Sequence, residues 1–178
     1  MPIDFFTQGQ KGTSDKELFG ICDDTTIGKK APAYINDSDP DKWIAEVHNQ
    51  SQKSIDFFAI DCCIKWSLPN GNQAKACDGM LVYNKKYNVI FVELKDKNPR
   101  YKNVNKNPKK KDWVEEAIDQ LKSTIEFFRS NHIIDGTSLK AYASNKQAIF
   151  DEGWEDYMEK FKVETGVTLR VTREIEIQ

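Results

Sequence analysis

The chain has 178 residues, of which 39% are hydrophobic, and a formal net charge of −2. This length and apolar content suffice to bury one sizeable core and favour a single domain spanning residues 1–178. No stretch approaches about 18 uninterrupted apolar residues and the N-terminus lacks a signal-peptide pattern, so we expect a soluble, cytoplasmic protein with no membrane partner.

The cysteines and histidines do not form a recognisable metal or catalytic motif. The cysteines are Cys22, Cys62, Cys63 and Cys77. They lack the paired spacing with histidines that a structural zinc site requires, so we expect reduced, mostly buried thiols. Neither His48 nor His132 has a serine, cysteine or acidic partner in a triad-like pattern, which argues against triad hydrolysis and zinc catalysis.

The first clear element is a helix that follows an N-terminal extension. Residues 1–37 are rich in glycines and acids and suggest loops or a small appended strand. Asp39 is a typical N-cap and Pro40 suits the first helical position. The apolar residues that follow at helical spacing are Trp43, Ile44 and Val47. Glu46 lies on the flank of this apolar stripe.

A strand is predicted next, because apolar and other residues alternate over residues 58–66. It ends at the turn signal Pro69-Asn70-Gly71. On such a strand the adjacent Cys62 and Cys63 point to opposite faces.

Two further apolar runs predict a β-hairpin. The runs cover residues 80–83 and 89–94, and the polar residues 84–88 between them suit a turn. If the runs pair antiparallel, Asp78 returns beside Glu93.

Charged residues with catalytic potential lie at the end of the second run. Residues two apart on a strand share a face, so Glu93 and Lys95 point the same way and Leu94 points to the other. Two carboxylates and a lysine at neighbouring strand ends can hold a divalent cation and activate water. The simpler alternative is an ion pair between Glu93 and Lys95 at a strand end, with Asp78 as an ordinary turn residue.

A basic segment leaves directly from these residues. It contains eight basic residues and one acid: Lys95, Asp96, Lys97, Arg100, Lys102, Lys106, Lys109, Lys110 and Lys111. Pro99, Pro108 and several asparagines predict an irregular loop. A polyanion such as nucleic acid is the natural partner of such a loop, although a solvated loop that only aids solubility is the alternative.

The remaining elements alternate between helix and strand. Asp112 is expected to cap a helix with Gln120 at the margin of its apolar face. That face comprises Val114, Ile118, Leu121, Ile125 and Phe128. A short strand is predicted over residues 139–143, then a helix that ends at Gly166, and finally an edge-like strand over residues 167–177.

The order is therefore helix, three strands, helix and strand, with a further helix and strand behind it. With Asp78 at the start of the second strand and Glu93-Leu94-Lys95 on the third, the chain resembles the PD-(D/E)xK nuclease superfamily, the fold of many restriction endonucleases, repair nucleases and Holliday-junction resolvases. The resemblance implies an α/β fold with a restriction-endonuclease-like αβββαβ core over residues 39–145. That core has a central mixed sheet flanked by helices, and residues 146–178 add an extra C-terminal helix and strand.

The resemblance also implies a metal site. Asp78 and Glu93 are expected to bind Mg²⁺, with Mn²⁺ as a substitute, and the backbone carbonyl of Leu94 to add a ligand. Glu46, on the first helix, is expected to hold a second metal or to orient a water. Lys95 is expected to position the attacking water.

Gln120 matches the first half of the QxxxY pattern of nucleases of the RecB and lambda-exonuclease type, which implies a role in catalysis as a water-orienting group. Two positions depart from the family pattern. Thr124 stands where that lineage has tyrosine, and Cys77 stands where the motif nominally has proline.

We therefore expect a Mg²⁺-dependent nuclease that hydrolyses phosphodiester bonds, in DNA rather than RNA. The nucleic-acid-binding residues expected are Lys97, Arg100, Lys102, Lys106, Lys109, Lys110 and Lys111. The alternative is a catalytically inactive module of the same fold that binds nucleic acid or a protein partner. The chain is short for a sequence-specific endonuclease, which favours structure-directed or partner-directed cleavage, and a homodimer or a partner protein stays open.

Overall fold

The structure is a computed structural model that describes residues 3–24, 31–96, 113–132, 135–147 and 154–178. The helices are α1 (Phe5–Gln8), α2 (Trp113–Asn131) and α3 (Glu155–Thr165). The strands are β1 (Gln10–Ser14), β2 (Leu18–Cys22), β3 (Tyr34–Asn36), β4 (Ala45–His48), β5 (Ile55–Ala59), β6 (Gly79–Tyr83), β7 (Asn88–Lys95), β8 (Ser138–Asn145), β9 (Thr168–Val171) and β10 (Glu174–Glu176).

A six-stranded mixed sheet organises the fold, with the strand order β1-β5-β6-β7-β8-β9. β5, β6 and β7 form an antiparallel meander, β8 is parallel to β7, and β9 is parallel to β8. α2 provides the long connection that parallel neighbours such as β7 and β8 require. The expected α/β class with a mixed sheet is confirmed.

The predicted hairpin turn is present between β6 and β7. Asn84, Lys85 and Lys86 have φ angles of 52°, 54° and 74°. The N–H of Tyr87 closes the turn on the carbonyl of Asn84 at 3.0 Å.

A second sheet, absent from the sequence prediction, covers one face of the first. It has four strands in the order β10-β4-β2-β3. Buried residues of β2 and β4, such as Phe19 and Val47, pack against residues of the large sheet such as Leu81 and Val92. The three helices pack on the opposite face, where the core includes Phe5, Phe91, Leu121, Phe128 and Phe161.

The helix predicted to begin at Asp39 is wrong. A single 3-10 turn spans Pro40–Lys42, the side chain of Asp39 forms no capping hydrogen bond, and β4 follows. Trp43 lies directly on Gly20, where a Cβ would be 1.9 Å from the indole Cγ. Pairing with β2 therefore overrides a local apolar pattern that fits a helix.

The strand predicted over residues 58–66 begins and ends earlier, as β5. The chain turns at Ile60, whose carbonyl accepts a hydrogen bond from the N–H of Cys63 at 3.1 Å. Cys62 has φ 68° and donates its N–H to the carboxylate of Asp61 at 2.9 Å. Cys62 and Cys63 therefore lie in a turn and not on opposite faces of a strand.

From residue 113 onward the predicted elements are confirmed with one refinement, whereas Asp112, the expected cap of α2, lies outside the described residues. α2, β8 and α3 occur where expected, and α3 ends at Gly166 with φ 71°. The final alternating run forms two strands that join different sheets: β9 at the edge of the large sheet and β10 beside β4. All four cysteines are free, and Cys22 and Cys77 are buried. Within the described ranges, no helix is both long and apolar enough to cross a membrane.

Candidate active site

The antiparallel pairing of β6 with β7 brings Asp78 and Glu93 together. Gly79 pairs with Val92, so Asp78, just before Gly79, stands opposite Glu93, just after Val92. The backbone N–H of Asp78 donates to Glu93 Oε2 at 3.2 Å, and the N–H of Leu94 donates to Asp78 Oδ2 at 2.6 Å. Only 8% of Asp78 and 1% of Glu93 are exposed, so both carboxyl groups are removed from bulk water.

Gly79 permits the close packing that fixes Asp78. A Cβ at position 79 would lie 2.3 Å from the ring of Phe57 on β5. Any larger residue would push β6 away from β5 immediately after Asp78 and would displace its carboxylate.

Lys95 lies beside Glu93 on the face of the sheet that carries the helices. Its Nζ donates to Glu93 Oε1 and, at 2.9 Å, to Gln120 Oε1 on α2. The amide nitrogen of Gln120 donates in turn to the carbonyl of Ala76 at 2.9 Å. Only 12% of the Lys95 side chain is exposed, so this is not the solvent-exposed ion pair of the simpler interpretation.

Burial and like charge make the two carboxylic acids weak. Burial, and then the charge of Glu93, raise the pKa of Asp78 well above its usual range. Burial raises the pKa of Glu93 to about 7, although Lys95 opposes the shift. Burial alone lowers the pKa of Lys95, but the neighbouring carboxylates outweigh it and hold that pKa above its ordinary value.

Two further acids, which the sequence interpretation did not select, act on the site. The charge of Asp61 adds to the raised pKa of Glu93, and that of Asp23 adds to the raised pKa of Asp78. Asp61 lies in the turn after β5, which the alternation pattern assigned to a strand, and Asp23 directly follows β2. No local pattern indicates either position.

Thr124 is also part of the surroundings of the site. Its Oγ1 accepts a hydrogen bond from the N–H of Cys77 at 2.9 Å. The signal that could have identified it is its spacing, because residues four apart on a helix lie on one face and Gln120 is four residues earlier.

Glu46 is the predicted ligand that the structure does not bring to the site. It lies on β4 in the second sheet, where its Oε1 is 3.0 Å from an Nη of Arg173 and its Oε2 is 4.0 Å from Nε2 of His48. Among the described residues, Glu46 does not form a metal-sized group with Asp78 and Glu93. The predicted helix that was to carry Glu46 is a strand, and the side chain therefore has other partners.

The basic segment falls mainly outside the described residues. Its seven predicted contacts are Lys97, Arg100, Lys102, Lys106, Lys109, Lys110 and Lys111, and none of them lies in the described ranges. Its two attachment points are described: Lys95 in the site and Trp113 at the start of α2.

No family model, no curated protein and no solved structure matches this chain. The resemblance to PD-(D/E)xK nucleases therefore depends on the residues themselves and on their arrangement.

Proposed function

We propose that the protein is a metal-dependent nuclease of the PD-(D/E)xK type that hydrolyses phosphodiester bonds, in DNA rather than RNA. The observation that carries the proposal is the buried contact between Asp78 and Glu93, with Lys95 bound to both Glu93 and Gln120. The strand meander, α2 and the parallel β8 support it, because they follow the βββαβ part of the expected core in the same order.

The donor set suits a hard cation such as Mg²⁺ or Mn²⁺. Mg²⁺ takes oxygen ligands, keeps several waters and needs only one or two protein carboxylates. Asp78 and Glu93 would supply these, and the resemblance adds the carbonyl of Leu94. Their raised pKa values are consistent with this role, because each buried carboxylate lacks sufficient positive charge nearby. When bound, the ion supplies charge neutralisation and lowers the pKa of a coordinated water.

Lys95 acts as a charged donor and not as a base. Its pKa lies above the ordinary value, so it stays protonated at neutral pH. An ammonium group has three N–H donors, and Glu93 and Gln120 accept two of them in the described structure. The third is available to orient the attacking water and to stabilise the negative charge that develops on the phosphate.

Gln120 sets the direction of Lys95. Its Oε1 accepts from Lys95 while its amide nitrogen is fixed on Ala76. Because the amide is held at both ends, the ammonium group is presented to the site in one orientation, which is the pre-organisation that phosphoryl transfer requires.

The decisive experiment is cleavage of linear, circular and single-stranded DNA in the presence of Mg²⁺, Mn²⁺ or EDTA. We expect cleavage with either metal and none with EDTA or after Asp78→Ala. If the purified protein cuts no substrate with either metal and calorimetry detects no metal binding that Asp78→Ala abolishes, the nuclease proposal fails.

One observation favours the alternative of an inactive module that binds nucleic acid or a protein partner. Glu46, the expected additional acid, is paired with Arg173 in the second sheet. In that case the protein would bind DNA with the salt dependence of phosphate contacts but would leave it uncut under all metal conditions.

A further inference from the structure

The hydroxyl group of Thr124 binds the backbone that leads into Asp78. Thr124 is fully buried on α2, and its Oγ1 donates to the carbonyl of Gln120 at 2.8 Å. A hydroxyl has one hydrogen, so this bond fixes the orientation of the O–H group. The oxygen keeps a free lone pair, which accepts the N–H of Cys77 at 2.9 Å. Serine keeps both bonds, whereas valine, with nearly the same shape, keeps neither.

The backbone at residues 76–78 is held from three sides. α2 binds it through Gln120 and Thr124, at Ala76 and Cys77. The turn after β5 binds it through the N–H groups of Ile60 and Asp61, which donate to the carbonyls of Asp78 and Cys77 at 2.8 and 3.2 Å.

The third side is β7. Its Glu93 carboxylate accepts the N–H of Asp78, and the N–H of Leu94 donates to the carboxylate of Asp78. The N–H of Cys77 is buried, and among the described residues its acceptor is the hydroxyl oxygen of Thr124. A buried N–H without a partner is costly, so the segment would move to satisfy it. Asp78 is the next residue, and any such movement changes the distance between its carboxylate and Glu93.

We infer that Thr124 is a positioning residue that sets the separation of Asp78 and Glu93 through the N–H of Cys77. This inference rests on the proposed nuclease function. It assigns a function to a position at which the chain departs from the QxxxY pattern, and it requires no contact between Thr124 and the substrate.

The test compares Thr124→Val, which removes the hydroxyl, with Thr124→Ser, which retains it. Ser123→Ala is the matched control, because the buried Oγ of Ser123 has no hydrogen-bond partner among the described residues. Mn²⁺ affinity is measured by calorimetry, and kcat and KM are measured on the DNA that the wild-type protein cuts.

We expect Thr124→Val to weaken Mn²⁺ binding by about 10- to 100-fold and to lower kcat while KM for DNA is unchanged. Thr124→Ser and Ser123→Ala should match the wild type, a rescue that a general loss of stability would not produce. Thr124→Ala is the second hydroxyl-free variant if Thr124→Val does not fold.

The two proposals fail in different ways. Wild-type affinity for Mn²⁺ in a folded Thr124→Val or Thr124→Ala protein overturns the role of Thr124 and leaves the nuclease proposal intact. Absence of Mn²⁺ binding and cleavage by the wild-type protein overturns the nuclease proposal and, with it, this inference.

Discussion

The N–H of Leu94 donates a hydrogen bond to Asp78 Oδ2 at 2.6 Å, so the middle residue of the Glu93-Leu94-Lys95 triplet holds the carboxylate of the other motif. The two halves of the sequence signature are therefore one hydrogen-bonded unit. Glu93 returns the contact by accepting the N–H of Asp78.

Asp78→Asn should abolish metal binding and cleavage while making the metal-free protein more stable. The pKa of Asp78 is raised by burial and by Glu93, so the ionised form costs stability that a neutral amide does not. We expect a gain of roughly 1–3 kcal/mol in the free energy of unfolding at pH 8 in EDTA. Urea unfolding measures it, and Asp41→Asn, at an exposed position, is the control. A loss of stability in Asp78→Asn would contradict the assignment.

The metal-free protein should lose stability as the pH rises. Glu93 has a pKa of about 7 in the folded protein against an ordinary value of 4.5. Between pH 4.5 and about pH 7 the folded state therefore binds a proton that the unfolded state does not. Its contribution to stability is fully present below pH 4.5 and is lost as the pH rises through about 7. Unfolding curves in EDTA from pH 5 to pH 8 measure this trend, and Glu93→Gln should flatten it.

Metal affinity should show the opposite dependence on pH, because the ion requires deprotonated carboxylates. The apparent Mn²⁺ affinity is expected to fall by about tenfold for each pH unit below 7, where Glu93 takes up its proton. Calorimetric titration at several pH values tests this expectation. An affinity that stays constant between pH 5.5 and pH 8 would exclude Glu93 as a ligand.

Lys95→Ala should separate metal binding from catalysis. The variant retains both carboxylates and should still bind Mn²⁺, but it loses the donor that stabilises charge on the phosphate. We expect kcat to fall by roughly 100- to 1,000-fold. Lys85→Ala, in the exposed hairpin turn, serves as the control for loss of a lysine. Equal activity of the two variants would remove Lys95 from the mechanism.

Glu46→Gln should leave cleavage and Mn²⁺ affinity unchanged. Its carboxylate pairs with Arg173 at partly exposed positions, an interaction worth about 0–1 kcal/mol. The expected effect is therefore a small loss of stability alone. Loss of activity in Glu46→Gln but not in Asp41→Asn would contradict this expectation and would support the metal-binding role that the resemblance implied for Glu46.

The hairpin and its turn could be predicted because their signals are local. Alternation places Glu93 and Lys95 on one face, and polar residues 84–88 mark the reversal that returns Asp78 to Glu93. The family pattern selected Gln120 as a water-orienting group, but its contact with Lys95 was not predicted, because the two residues lie on different elements.

The second sheet could not be predicted, because its strands are short and their partners are distant in sequence. β10 pairs with β4, and Glu174 stands opposite Glu46 although 128 positions separate them. The apolar residues Trp43, Ile44 and Val47 fit a helical period as well as a strand. The strand is selected by the pairing of β4 with β2 and β10, with Trp43 packed on Gly20.

The crossing of the chain from β9 to β10 joins the two sheets through adjacent residues. The N–H of Thr172 donates to the carbonyl of Ala143 in the large sheet, and the carbonyl of Arg173 accepts the N–H of Glu46 in the small one. Neither layer can open without straining this two-residue connection, so amide hydrogens in both layers should exchange through the same global unfolding event. We therefore expect the second sheet, which the sequence did not predict, to unfold together with the hairpin that carries the candidate site.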